Sequence, residues 1–292
     1  MPRVDLVGIC DLHVHSAPCL FDRIADDIEM AEMLADAGYA SVVLKSHHES
    51  TVGRAAIAAK RVPGVQVHGG IVLNHFVGGI NPTAVEVALL QGGKIVWMPT
   101  MHARCHAEFY GTMSGYGEMQ ATTLRPRDEP ISILDDDGRV REPVLEVARL
   151  VAEYDAILAT AHLSKEEARA LVYAAPDVGL RKLVITHPHF KFLGYTDDDL
   201  AELAERGATL ELCSGTVQTL PGFTTVEAVA RTIRRVGAEH CIVSSDTGSP
   251  RKPCPPETTR AYLYSLGVLG VADAELRAMT VEQPQTLLEF RR

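Results

Sequence analysis

Residues 8–16 read GICDLHVHS, a short apolar run that ends in two histidines one residue apart, His13 and His15. In an extended strand side chains alternate between faces, so His13 and His15 share a face, roughly 6 to 7 Å apart along the chain. The same design recurs downstream. ILATAHLS (157–164) runs into His162, LVITHPHF (183–190) into His187, and CIVSSDTG (241–248) into Asp246.

Working outward from these runs, eight strand candidates emerge: Asp5 to Val14, Ala40 to Lys45, Val65 to Leu73, Lys94 to Met98, Ala156 to Ala161, Lys182 to Thr186, Ala208 to Cys213 and Cys241 to Ser245. Several are apolar nearly throughout, as a sheet covered on both faces requires. Between them lie amphipathic segments, including Ile24 to Ala37, Pro82 to Gln91, Val140 to Tyr154, Lys165 to Ala175, Asp198 to Arg206 and Val226 to Val236. Asn81 before Pro82, Ser164 with Glu167 and Thr196 before an acidic turn supply helix-starting chemistry. Eight successive β–α units predict a (β/α)₈ TIM barrel forming one domain over residues 1–292, with an incomplete or seven-stranded barrel as the alternative.

One connection breaks the rhythm. Met101 to Arg139 is rich in Gly, Thr, Met and Pro and lacks clear periodicity. Following the fourth strand, it should lie over the barrel mouth, where long loops act as lids. Tyr110, Met113, Tyr116 and Met119 would supply apolar contacts, and Gly111, Gly115 and Gly117 freedom to move. A surface insertion or an interface between copies of the chain is the alternative.

Composition narrows the function. The 292 residues are 46% hydrophobic and 23% charged, an ordinary globular balance. A net charge of −10, with no cluster of Lys and Arg among aromatics, argues against a nucleic-acid partner. No apolar run reaches the roughly 18 residues that span a bilayer, and the N-terminal segment is strand-like. A cytoplasmic protein with no membrane partner, acting on a small molecule and compatible with a homo-oligomer, is expected. Six scattered cysteines with no CxxC pair suit reduced thiols.

Active sites of such barrels gather at the C-terminal strand ends. Any one of His13, His15, His162, His187 and Asp246 alone would pass for a hydrogen-bonded histidine or a capping aspartate. All five at strand ends predict a site for one or two divalent metal ions, zinc foremost, with manganese or iron as alternatives. Lys45 points the same way from the second strand, where an unpaired ammonium is costly to bury. It either carries CO₂ as a carbamate bridging two ions or stays an ammonium paired with a carboxylate. His47 and His48 are candidates for a further ligand, and alternation favours His47 as the inward one. Near the mouth, His102 and His189 are candidate substrate contacts with Tyr110 and Tyr116, whereas His75 and His106 read as solvated loop histidines.

With HVH at residues 13–15 followed by His162, His187 and Asp246, and with Glu282-Gln283-Pro284 and Leu287-Leu288 near the end, the chain resembles the amidohydrolase superfamily along nearly its whole length. DLHVHSAP, VLKSHHE, WMPT, ITHP and SSD resemble in particular the DUF6282 group, whose function is undefined. The resemblance implies one metal held by His13, His15 and Asp246 and another by His162 and His187. Superfamily members with two metals bridge them from the end of strand four by a carbamylated lysine or a glutamate. Here that strand ends Val96-Trp97-Met98-Pro99-Thr100, with neither, which leaves Lys45 as the substitute bridge or a single ion. The chain also resembles the polymerase-and-histidinol-phosphatase phosphoesterases through His13, His15 and His47, but Asn74 stands where those carry an acid.

The expected reaction is hydrolysis of an amide, lactam, lactone or ester by a metal-activated water, with Asp246 as the catalytic proton acceptor. A phosphoesterase, a non-hydrolytic decarboxylase or lyase, and a metal-binding scaffold are the competing readings.

Overall fold

A computed structural model describes residues 4–116, 119–120, 129–217 and 223–289. Eight buried strands form one parallel sheet: β1 (Cys10–His15), β2 (Ser41–Lys45), β3 (Gln66–Val72), β4 (Ile95–Trp97), β5 (Ile157–Ala159), β6 (Leu183–Thr186), β7 (Thr209–Cys213) and β8 (Cys241–Ser244). They pair in chain order, each to the next. The (β/α)₈ barrel expected from periodicity is the fold. Its helices begin as their sequences dictate: Asn81 accepts from Ala84 N, while Ser164 and Thr196 form capping boxes with Glu167 and Asp199.

β8 and β1 close the ring just past the end of β8. Asp246 N donates to His13 O (2.9 Å) and His15 N to Thr247 O (2.9 Å). Lower down, the buried Asp11 carboxylate bridges the same two strands, accepting from Ser245 N (3.0 Å) and His13 N (3.1 Å). Gly248 follows at φ +127°, and a side chain there would collide with the His15 carbonyl. The seam between the first and last strands therefore passes directly through the predicted metal-binding residues.

Trp97, 1% exposed, fills the interior beneath that seam, with its ring 6.2 Å from that of His13. It fits because residue 70 on the neighbouring β3 is glycine; a Cβ there would strike both the Trp97 ring and the Ile95 carbonyl. The end of the fourth strand thus presents an indole, with neither a lysine nor a carboxylate, to the space beneath His13.

Two expectations change. Residues Asp5 to Ile9 are not strand; Val7 N is held by the Asp5 side chain in a local turn that competes with the ladder. The segment 101–139 is not structureless: it holds a helix, Arg104–Tyr110, a short antiparallel pairing of Gly115–Tyr116 with Met119–Gln120, and a bridge from Ala103 to Ile131. A seven-residue helix is too short for its periodicity to stand out. Residues 117–118 and 121–128 of the expected lid lie outside the described residues. Among the described residues no helix is long and apolar enough to cross a membrane.

Candidate metal centre

The strand ends deliver their side chains into one cavity of about 480 Å³, lined by His13, His15, Lys45, His47, His162, His187 and Asp246 among others. Local backbone helps to aim them. Ala161, His187 and Asp246 have φ of 49°, 32° and 49°, left-handed values that cost a non-glycine residue about 1 kcal/mol or more. Each lies where a strand stops and its chain must turn a polar group over the mouth.

At the closure seam three acceptor atoms converge. Asp246 Oδ1 lies 3.1 Å from His13 Nε2 and 3.2 Å from His15 Nε2. His15 Nδ1 faces the Lys45 carbonyl at 3.0 Å, an acceptor only, so Nδ1 carries the hydrogen and Nε2 presents its lone pair. His13 Nδ1 faces Glu211 Oε2 at 3.2 Å, with the same consequence. Lone pairs directed at a carboxylate oxygen repel unless a cation or proton lies among them. Lys45 Nζ lies 3.1 Å from His13 Nε2. A buried set of two imidazoles and a carboxylate, each ring oriented by an acceptor on its far side, fits a divalent metal ion.

His162 and His187 stand across the cavity, ring centroids 5.0 Å apart, and His187 is 5.8 Å from His13. His187 Nδ1 is buried with no partner among the described residues. Its orientation, unlike that of His162, rests on packing: Phe190 meets its ring edge-on at 4.2 Å. His162 Nδ1 meets His106 Nδ1 at 2.8 Å, and His106 Nε2 meets the Gly115 carbonyl at 2.9 Å.

Burial holds His15, His47, His162 and His187 well below the ordinary histidine pKa, leaving neutral rings able to bind a metal. His13 differs. Burial and Lys45 favour its neutral form, but Asp246 and Glu211 on either side raise its pKa. Burial also disfavours an ionised Asp246, yet the charge and hydrogen bond of His13, with His15 and Lys252, keep its pKa well below the usual carboxylate value. Lys45 is lowered by burial, against the pull of Asp246 and Glu211, and its Nζ lies 5.2 Å from the Trp97 ring centre.

The remaining candidates separate. His47 lines the cavity, stacked on His15 at 4.9 Å, but its nitrogens are engaged by Thr100 Oγ1 (3.0 Å) and Tyr116 Oη (3.2 Å). His48 turns outward against Phe76 and Phe21, as strand alternation requires. Tyr110 and Tyr116 are in the cavity wall. His102 and His189 are not: His102 Nδ1 accepts from His75 N (2.9 Å) under Phe76, and His189 Nε2 reaches Thr232 Oγ1 (3.0 Å) on the outer helix Val226–Val236. Both make local contacts and neither lines this cavity.

Three participants were not read from the sequence. Glu211 is 2% exposed and orients His13; its signal was a lone carboxylate two residues before Cys213 in an otherwise apolar strand. His106, expected in solvent, is fully buried and orients His162. Arg23, in the connection after β1, lines the cavity through a loop whose sequence carries no periodic signal.

The sequence matches, over residues 8–211, the model of a family described as a "Family of unknown function (DUF6282)". No curated protein matches it. Among solved structures, an amidohydrolase from Pseudomonas aeruginosa superposes with a TM-score of 0.64 at 11% identity, covering 97% of this chain and 95% of the other. The organophosphorus hydrolase from Deinococcus radiodurans gives 0.60 at 12% identity, over 98% and 94%. The 2,6-dihydroxybenzoate decarboxylase from Rhizobium gives 0.58 at 11%, over 97% and 98%. Identity this low makes the likeness one of fold.

Proposed function

The chain belongs to the DUF6282 family, and from that premise we propose that it is a metal-dependent hydrolase of the amidohydrolase type, opening an amide, lactam, lactone or ester in a small molecule. The observation that carries this reading is the convergence of His13 Nε2, His15 Nε2 and Asp246 Oδ1 within a buried, outwardly braced set. His13, His15 and Asp246 would hold one ion, and His162 with His187 a second. A divalent metal bound there would acidify a water molecule and polarise the electrophile, and zinc, manganese and iron all suit the donors.

The chain's own residues supply the rest. Asp246, kept ionised by its histidine neighbours, accepts a proton from the attacking water and returns it to the leaving group. Glu211 and the Lys45 carbonyl fix the rings of His13 and His15, so that the acceptor geometry exists before substrate arrives. Phe190, Phe223, Tyr110 and Tyr116 wall the cavity and exclude bulk water from the reacting bond.

Replacing His13 and His15 together with Ala should abolish both metal uptake and turnover of an ester, lactone and amide panel, with the far-ultraviolet circular dichroism of the barrel retained. Full metal content in the double variant would overturn the assignment. Hydrolysis in ¹⁸O-labelled water should place label in the product. Release of CO₂ without incorporation would point to a decarboxylase, and turnover confined to p-nitrophenyl phosphate to a phosphoesterase.

A further inference from the structure

The cavity wall is divided by charge in a way the metal chemistry does not need. Loops after β8 and β1, neighbours at the seam, contribute Arg23, Arg251 and Lys252. Loops after β4, β6 and β7 contribute Tyr110, Tyr116, Phe190 and Phe223, of which Tyr116 also meets Phe21 from the β1 loop at 6.0 Å between ring centres. Asp246 is the one carboxylate among the described lining residues, and it belongs to the metal centre.

In a chain of net charge −10, three cationic side chains on one wall stand out. Lys252 Nζ donates to the Asp246 backbone carbonyl at 3.3 Å and its charge also acts on the Asp246 carboxylate, but among the described residues no carboxylate lies within ion-pairing distance of Arg23, Arg251 or Lys252. Arg23 is the most telling. Its guanidinium leans over Phe21 (5.8 Å to the ring centre), and its Nε is buried with no acceptor among the described residues. A buried charged donor left unpaired is costly, and a guanidinium fork matches a carboxylate in geometry.

We infer that the substrate is an organic carboxylate on an apolar, aromatic-sized body, its carboxylate held by Arg23 with Lys252 and Arg251 and its body against Phe190 and Phe223. The bond to be broken then lies between these two ends, above the donors at the barrel floor. The assignment deepens the hydrolase reading and rests on it for where the reacting centre lies. Cations supplied by a local wall also overcome the repulsion that the chain's overall charge imposes on an anion.

Calorimetric titration of the metal-loaded protein with 3-phenylpropionate and with the isosteric neutral 3-phenylpropionamide tests this. The acid should bind about tenfold or more tightly than the amide, the gain expected of a charge-assisted hydrogen bond. Arg23→Gln should erase most of that preference with metal content unchanged. Lys252→Met should reduce it, so the test stands even if Arg23→Gln does not fold. Equal binding of acid and amide, no detectable acid binding, or a preference that survives both variants (the mark of a carboxylate bound only to metal) would overturn the inference. Metal uptake with no preference would defeat this assignment alone. Preference without metal uptake would defeat the hydrolase reading alone.

Discussion

His162 and His106 face each other Nδ1 to Nδ1 across 2.8 Å, and the pair has a direction. His106 donates from Nε2 to the Gly115 carbonyl, and burial brings its pKa down to about 4, so the ring is neutral and its Nδ1 accepts. The hydrogen between them therefore belongs to His162, whose Nε2 lone pair is left for a metal. His106 is a positioning residue, and His106→Phe keeps its ring volume while removing the acceptor. Chelator competition should show one ion bound about 10- to 100-fold more weakly, the usual effect of losing an outer-sphere partner, with the His13–His15–Asp246 ion retained. Unchanged affinity for both ions would remove His106 from the centre.

Asp246→Asn preserves shape but cannot take a proton. A fall in kcat of about 10² or more is expected, with KM nearly constant. Near-normal kcat would restrict Asp246 to holding metal.

Lys45 is 2% exposed, with its Nζ beside His13 and no carboxylate within ion-pairing distance among the described residues. As a carbamate it would replace the bridge that β4 lacks. Lys45→Ala should then lose one of two ions and regain part of its activity with added acetate or formate. Full metal content with a raised KM would identify an ammonium that holds the substrate.

His189 offers a pH test through a ring turned away from the cavity, toward Thr232. Burial lowers its pKa to about 4, with Asp197 raising it and Arg231 lowering it by less, whereas the unfolded chain titrates near 6.5. Between those values the unfolded state binds more protons, so stability is full above about pH 6.5 and falls as pH drops toward 4. The contribution is at most about 3 kcal/mol. Urea titrations of the wild type and His189→Gln across that window should show a shallower acid loss in the variant. Parallel curves would place the acid sensitivity elsewhere.

How far this was legible in the sequence follows from how each feature is encoded. Strands written as unbroken runs, such as KLVIT and CIVSS, end where the barrel needs them, and His162, His187 and Asp246 sit one to three residues beyond. Local periodicity therefore located the fold and the strand-end residues that meet in the cavity. Glu211 and His106 act through contacts 198 and 56 residues away in the chain, and no local pattern carries such distances. His102 and His189 lie outside the cavity lining for the opposite reason: nearness to a strand end says where a backbone is, and one bond to Thr232 decides where His189 turns.

The packing of Trp97 against Gly70 has a bearing on how this barrel can diversify. A glycine on one strand and an indole on the next are a locked pair. Enlarging residue 70 is blocked while the indole is present, and shrinking residue 97 opens a void beneath His13 and Lys45, of the kind that costs a core several kcal/mol. A lysine or glutamate installed at the end of the fourth strand would have to come with compensating volume on its neighbours, and no single substitution supplies both.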